Sequence, residues 1–197
     1  MNLRKALNIE DLRCIAERRL PRIAYDFLER GAEDDMTLAE NRAVFERIHF
    51  KPRTFVDVSG RSQQVTLFGK TFTSPFGIAP TGAAGLYCFE ADIALARAAA
   101  AAGVPFVLST ASFVALERVA REAGGAKWFQ LYMSKDREAA RGLVARACDA
   151  GYEALVVTTD IPVAGNREYN LRNGFEIPFR LNVGNMIDGA LHPHWLL

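Results

Sequence analysis

The sequence predicts an α/β fold built from alternating strands and helices on a parallel sheet. From residue 75 onward, short apolar runs and helical segments alternate with a period of about 25 residues, which is typical of βα units. The apolar runs are nearly continuous, as expected for strands that are covered on both faces. Gly103, Gly124 and Gly151 stand where a helix must end before the next strand begins.

Two architectures fit this alternation: a doubly wound open sheet and a TIM (β/α)8 barrel. No strand is followed by a G-x-G-x-x-G turn, which counts against a nucleotide-binding open sheet. A complete barrel needs about 250 residues, whereas the chain has 197. We therefore expect about the first four βα units of a barrel in a single domain. A half-barrel leaves sheet edges that native proteins cover, so the sequence is expected either to be incomplete or to rely on a partner.

The N-terminal part, residues 1–62, is predicted to be helical. Asn8 is suited to cap a first helix over residues 9–19. Pro21 suits the first turn of a second helix, which Gly31 ends. A third helix, over about residues 35–48, lacks a wide apolar stripe and is expected on the surface.

Residues 63–160 are predicted to hold a β-hairpin and the first four barrel strands, and residues 161–197 the loop after the fourth strand. The hairpin is expected around Gly69-Lys70, between two short alternating runs. The predicted strands cover residues 76–80, 104–109, 126–132 and 154–159, and the helices between them cover residues 90–102, 113–123 and 136–150.

The third strand, AKWFQLY, carries a polar residue inside an apolar run. Residues two apart on a strand share a face, so Trp128, Gln130 and Tyr132 point one way, and Phe129 and Leu131 point the other. A buried glutamine without hydrogen-bond partners costs roughly 1–3 kcal/mol. The Gln130 amide is therefore expected to have hydrogen-bond partners.

Composition and charge exclude several classes of protein. Lys and Arg (24) nearly balance Asp and Glu (23), so nothing favours nucleic acid. The three cysteines form no C-x-x-C pattern, and His192 and His194 have no further ligands nearby, so no metal site is predicted. Two long uncharged runs are broken by Gly and Pro, and the start has no signal-peptide core. A cytoplasmic protein is expected.

Polar residues collect where the predicted strands end, which is the reactive face of parallel βα folds. A glutamine amide and hydroxyl groups match a ring with alternating N–H and C=O groups, and Gly82 permits close approach of a flat ring. Arg167 and a tyrosine hydroxyl suit a carboxylate, and Asp160 suits a histidine partner. The strand-end residues are Pro80-Thr81-Gly82, Ser109-Thr110, Gln130 with Tyr132, and Thr158-Thr159-Asp160.

Several ordered motifs resemble the FMN-dependent α-hydroxy-acid dehydrogenases and oxidases, from about residue 8 to the end of the chain. The motifs are Tyr25-Asp26-Phe27, Gly31-Ala32-Glu33-Asp34, the run from Thr37 to Arg42, Pro80-Thr81-Gly82, LSTAS at 108–112, WFQLY at 128–132, TTD at 158–160 and Arg167-Glu168. The resemblance implies an FMN oxidoreductase that converts a 2-hydroxy acid to a 2-oxo acid.

The resemblance also implies a role for each matching residue. The main chain of Ala79, Pro80, Thr81 and Gly82 is expected to lie against the flavin. Ser109, Gln130 and Thr158 are expected to hydrogen-bond its ring system. Tyr25 and Tyr132 would contact the substrate, and Arg167 would reach its carboxylate. Asp160 would pair with the catalytic histidine, so Tyr25, Tyr132 and Asp160 are the expected catalytic residues.

The sequence departs from the family in length. Family members are about twice as long, and their later strands supply a lysine beside the flavin, the catalytic histidine, a second arginine and the phosphate-binding loops. None of these has a counterpart in the sequence. We therefore expect the N-terminal half of such an enzyme, inactive alone. Two alternatives remain: a non-catalytic half-barrel that acts as an assembly partner, and a phosphate-binding barrel aldolase or isomerase.

Residues 165–178 and LHPHW at 191–195 resemble the mandelate and lactate dehydrogenase branch. That branch implies electron transfer to a quinone or another carrier, with oxygen as the alternative acceptor. Some members are membrane-associated, and apolar residues near the end of the chain suit a peripheral contact with the cytoplasmic face of the inner membrane; a plain amphipathic helix explains them equally well. We also expect the complete protein to be a homo-oligomer. The apolar residues are Met186, Ile187, Leu191, Trp195 and Leu196.

Overall fold

A computed structural model describes residues 5–176 and 182–196 of the chain. It divides into two units, one formed by Met1–Thr54 with Val163–Leu197 and the other by Phe55–Pro162. The first unit thus combines the N-terminal helices with the segment that follows the fourth predicted strand. The second unit is continuous in sequence and contains the sheets.

The N-terminal segment is helical as far as Arg47, whereas residues 48–62 of the part predicted to be helical form no helix. Asn8 caps α1, because its side-chain oxygen accepts a hydrogen bond from the Asp11 N–H at 2.8 Å. The third helix is shorter than expected: it ends at Ala43 and continues as a 3-10 turn, Val44–Arg47, and none of its residues is buried. The helices are α1 (Ile9–Arg19), α2 (Arg22–Glu29) and α3 (Met36–Ala43).

The second unit starts with the predicted hairpin, β1 (Val65–Leu67) and β2 (Lys70–Phe72). Leu67 pairs with Lys70, so the turn residues are Phe68 and Gly69, one position earlier than Gly69-Lys70. Both turn residues have positive φ (51° and 75°), which a tight two-residue hairpin turn with the twist of its strands requires.

Strands and helices then alternate along the chain, and the three strands run parallel in the order β3-β4-β5. The expected first strand, residues 76–80, is reduced to one bridge between Ile78 and Phe106. Pro80 and Pro105 lack N–H groups, which limits the ladder at this position. The elements are α4 (Ala91–Ala102), β3 (Phe106–Leu108), α5 (Leu116–Glu122), β4 (Lys127–Tyr132), α6 (Arg137–Asp149) and β5 (Ala154–Thr158).

The core lies between this sheet and its helices. Phe129 and Leu131 on β4 join Leu108 on β3 in a buried cluster with apolar side chains of the three helices. Trp128 lies on the opposite face, where it makes edge contacts with two hairpin phenylalanines at 5.4 and 6.3 Å between ring centroids. The predicted alternation of faces along this strand is therefore confirmed.

Strand β5 is much less covered than its neighbours. Leu155, Val156 and Val157 remain 44, 36 and 44% exposed. Within the described residues, β5 pairs only with β4, so its other edge is open. Parallel strands are normally covered on both faces, so these apolar side chains form an uncovered surface within the described residues.

The segment after β5 was expected to be a loop, but its described residues include three short helices: α7 (Glu168–Arg172), α8 (Val183–Leu191) and α9 (Pro193–Leu196). Local capping explains α8, because the Asn182 side chain accepts from the Asn185 N–H at 2.8 Å. Residues 177 and 178 of the expected 165–178 match lie outside the described residues. Nowhere in 5–176 or 182–196 is a helix both long and apolar enough to cross a membrane.

Gly125 lies in the connection between α5 and β4, and its backbone conformation can be tested by a change in stability. It has φ +75°, and an added Cβ would lie 2.8 Å from the Ala100 Cβ. Gly125→Ala should therefore lower the free energy of unfolding by more than about 1 kcal/mol. Urea denaturation measures this change.

Gly142 is the matched control, because it lies inside α6 at a position where an added Cβ would have nothing within 4 Å. Gly142→Ala should raise the free energy of unfolding by roughly 0.5–1 kcal/mol through helix propensity. Similar effects of the two substitutions would contradict the described backbone at Gly125.

Candidate functional site

Gln130 lies at the centre of a polar cluster that joins the ends of three neighbouring strands. The residue is only 2% exposed. Its Oε1 accepts hydrogen bonds from the Thr110 N–H at 3.1 Å and from the Ser109 hydroxyl at 3.3 Å. Its Nε2 donates to the Thr158 Oγ1 at 2.8 Å. The buried amide is thus satisfied by the two adjacent strands.

These contacts fix which way the Gln130 amide points. A backbone N–H can only donate, so the atom facing Thr110 must be the oxygen, and the nitrogen must face Thr158. Oε1 already accepts two bonds, whereas Nε2 keeps a second N–H and Thr158 keeps its hydroxyl proton. The hydrogen-bonding groups that these contacts leave unused are therefore donors, and a partner for them needs acceptors such as carbonyl oxygens.

Thr110 is a residue of this cluster that the sequence placed at a strand end without assigning it a role. Its hydroxyl donates to the Gln130 carbonyl oxygen and accepts from the Tyr132 N–H. The side chain thereby continues the pairing of β3 with β4 beyond Leu108. The available signal was a threonine directly after the predicted strand of residues 104–109.

The segment after the first strand lies beside this cluster. The Ala83 N–H donates to the Ala111 carbonyl oxygen at 2.9 Å. A Cβ added at Gly82 would meet the Ala111 Cβ at 3.5 Å and the Ser109 Oγ at 4.0 Å. Gly82 and the cluster therefore lie at one end of the sheet, as predicted for residues 79–82. Within that segment, Ala79 and Pro80 are exposed and Thr81 is half-buried.

Tyr132 and Asp160 lie at the same end of the sheet, nearer to solvent. Tyr132 is opposite Thr158 in the strand register and is 44% exposed. Asp160 follows β5 by two residues and is exposed. In the part of the chain that is described, neither side chain has a hydrogen-bond partner, so both are available to a ligand.

Tyr25 and Arg167 belong to the other unit and engage different neighbours. The Tyr25 hydroxyl accepts a hydrogen bond from Arg13 Nη1 at 2.9 Å. Burial and the nearby Glu29 carboxylate raise the pKa of Tyr25, and Arg13 partly offsets this. The Arg167 guanidinium lies over the Phe27 ring, 5.4 Å from its centroid. The contacts described for these two candidate residues thus lie within their own unit.

His192, one of the two histidines of the HPH run, contacts the C-terminal end of helix α8. Its Nδ1 lies 2.7 Å from the Asp188 carbonyl oxygen, one turn earlier in α8. Among the described residues, no group of three or more His, Cys, Asp or Glu side chains is placed to hold a metal ion.

Comparison with known proteins matches residues 16–197 to the family model of the FMN-dependent dehydrogenases. The chain is 48% identical over 190 residues to (S)-mandelate dehydrogenase of Pseudomonas putida, covering 96% of this chain and 48% of that protein. It is 46% identical to a putative L-lactate dehydrogenase of Mycobacterium tuberculosis, covering 96% of this chain and 46% of that protein. The chain thus spans about half the length of the curated relatives it matches.

Solved structures show the same similarity. The crystal structure of the monotopic membrane protein (S)-mandelate dehydrogenase superposes with a TM-score of 0.91 at 47% identity, covering 98% of this chain and 51% of that one. A mandelate oxidase variant with bound (S)-mandelic acid superposes with a TM-score of 0.83 at 37% identity, covering 91% of this chain and 52% of that one. The three parallel strands, with the bridge at Ile78, therefore correspond to part of a TIM barrel.

Proposed function

Because the chain belongs to the FMN-dependent dehydrogenase family, we propose that it forms the N-terminal part of an enzyme that oxidises a 2-hydroxy acid to the 2-oxo acid. The observation that carries the proposal is the buried Gln130 cluster, whose free hydrogen-bond capacity consists of donors at the end of a parallel sheet. The reactive face of barrel enzymes lies at this end.

The residues of the cluster fit FMN. The flavin ring carries two carbonyl oxygens on its polar edge, and the Nε2 of Gln130 and the hydroxyl of Thr158 can donate to such oxygens. Ser109 holds the acceptor atom of Gln130 and thereby keeps the donor facing the ligand. Gly82 adds no side chain beside Ser109, so a flat ring can lie against the backbone there.

Substrate contacts are assigned to residues outside this cluster. Tyr132 is partly exposed at the same end of the sheet as the cluster, where its hydroxyl can hold the substrate's hydroxyl or carboxylate end. Tyr25 and Arg167 supply a further hydroxyl and a guanidinium suited to a carboxylate. Asp160 is free to orient a histidine base supplied by a further part of the barrel. When bound, FMN accepts the electron pair released from the substrate's α-carbon.

The proposed substrates are L- or S-2-hydroxy acids such as mandelate or lactate, with a quinone or similar carrier as electron acceptor. Proteins with such 2-hydroxy acids in their names are 40 to 48% identical to the chain over nearly its whole length. An L-lactate oxidase is 44% identical, so oxygen is the alternative acceptor. Rates with a panel of hydroxy acids, with quinone and with oxygen, decide between these possibilities.

Helix α8 supports a peripheral membrane contact. Four of its apolar side chains are mostly exposed, and an amphipathic helix can bury such a face at the lipid boundary. A structural relative is described as a monotopic membrane protein. The exposed side chains are Val183, Met186, Ile187 and Leu191.

The exposed strand β5 favours a second candidate function, that of a half-barrel acting as an assembly partner. An open strand edge with apolar faces is a template for pairing with another polypeptide. In this view the polar cluster is retained only for stability, and the chain needs no flavin.

Substitutions at Gln130 and Tyr132 test the enzymatic proposal in the complete flavoprotein. Gln130→Ala removes the donor and should weaken FMN binding about tenfold, since a buried hydrogen bond is worth about 1 kcal/mol or more. Tyr132→Phe removes only a rim hydroxyl and should slow substrate oxidation more than it weakens FMN binding. Flavin titration and stopped-flow reduction measure the two effects. Equal flavin affinity and equal rates in both variants would argue against the site.

The chain alone, purified as 197 residues, should carry no tightly bound FMN and should self-associate through β5. Replacing Leu155 and Val157 by Lys should shift sedimentation toward monomer, because charges on an open apolar strand oppose pairing. Leu67→Lys on the hairpin is a control, since that residue is similarly exposed at 42%. A yellow purified chain, or association unaffected by the β5 changes, would contradict this prediction.

Vesicle binding tests α8. Replacing Met186 and Ile187 by Ser should reduce co-sedimentation with anionic phospholipid vesicles, because both side chains are more than half exposed. Replacing the similarly exposed Phe45 by Ser is a control outside α8. Unchanged binding in the α8 variant would place any membrane contact elsewhere.

A further inference from the structure

Asp92 is a buried carboxylate to which no role has been assigned. It lies in the first turn of α4 and is 1% exposed, beside the apolar residues Ile93 and Ala96 of the core. Burial raises the pKa of the Asp92 carboxyl, and the hydrogen bond from Ser112 opposes this rise. Burying a carboxyl group carries an energetic cost unless it is well hydrogen-bonded, so its partner is informative.

The partner is the Ser112 hydroxyl, which donates to Asp92 Oδ2 at 2.8 Å. The same hydroxyl oxygen accepts from the Val114 N–H at 3.0 Å. Asp92 therefore ties helix α4 to the loop that leaves strand β3. The contact spans two elements that are 20 residues apart in sequence.

Ser112 closes a tight turn that begins at Ser109. The Ser112 N–H donates to the Ser109 carbonyl oxygen at 3.1 Å, and the Ala111 N–H donates to the Ser109 hydroxyl at 3.1 Å. The first two residues of this turn, Ser109 and Thr110, supply both hydrogen bonds to the Gln130 Oε1. The position of the turn thus determines the orientation of the Gln130 amide.

We propose that Asp92 is a positioning residue: through Ser112 it holds the turn of residues 109–112, and through that turn it keeps the donor face of Gln130 toward the ligand. Asp92 touches neither ligand nor reacting atoms. The identity of the ligand as FMN rests on the proposed function, whereas the hold on the turn does not depend on it.

Amide hydrogen exchange in the full chain tests the hold directly. Ser112→Ala leaves the buried Asp92 carboxyl without this partner, and Asp92→Ala leaves the Ser112 hydroxyl only the Val114 carbonyl oxygen at 3.1 Å as acceptor, so both singles should lose stability. The double variant removes both partners and should regain part of that stability, because the Val114 N–H still lacks its acceptor. Asp92→Asn keeps a carbonyl oxygen that can accept from Ser112. The Thr110 N–H reports on the turn, and the Val107 N–H, bonded to the Ile78 oxygen, reports on the sheet.

In the double variant, exchange at Thr110 should be about tenfold faster, as expected for losing one buried hydrogen bond, while exchange at Val107 matches the unaltered chain. In Asp92→Asn, exchange at Thr110 should be as slow as in the unaltered chain. If Asp92 and Ser112 only stabilise the fold, exchange at Thr110 and exchange at Val107 should both return to the rates of the unaltered chain as the double variant regains stability. That result, or unchanged exchange at Thr110, would overturn the proposal.

FMN affinity of the complete flavoprotein gives the second measurement. The double variant should bind FMN several-fold more weakly than Asp92→Asn at matched stability, and its flavin absorption band should shift because the donor to the ring has moved. Fast exchange at Thr110 with unaltered FMN affinity and spectrum would overturn the link to the ligand. Failure of every variant, and of the unaltered protein, to bind FMN would count against the proposed function and not against the hold on the turn.

Discussion

The hydrogen-bonding requirement of one buried amide organises the end of the sheet. Gln130 cannot remain inside a parallel sheet without partners, and the partners come from both neighbouring strands, Ser109 and Thr110 on one side and Thr158 on the other. Because these partners use both acceptor sites of the oxygen and only one N–H of the nitrogen, the same requirement that stabilises the fold leaves the amide one unused donor, although the residue is only 2% exposed. Stability and binding thus depend on one side chain.

The sequence predicted the repeating part of the fold well. Apolar runs and glycines at helix ends define βα units locally, so strand β4 and helix α6 lie within about one residue of their expected bounds. The polar residues at strand ends were recognised because Gln130 contradicts the apolar pattern around it.

Other features could not be read from local patterns. The first strand is reduced to one bridge because Pro80 and Pro105, on neighbouring segments of the sheet, limit the ladder. The helix after β5 differs in this respect, because its Asn182 cap is a local signal that the prediction of a loop overlooked. Thr110 and Asp92 were not assigned roles for a related reason: their hydrogen-bond partners lie about 20 residues away in sequence. Such pairings depend on the packed arrangement of elements.

The division of the chain into two units has a consequence for the order of folding. The second unit is continuous in sequence, whereas the first joins its N-terminal helices to residues made much later, as in the stacking of Phe27 on Phe175 at 4.4 Å. Closing so long a loop carries a larger entropic cost than forming neighbouring βα contacts. During synthesis, the contact of Phe27 with Phe175 can therefore form only after the residues of the second unit have been made.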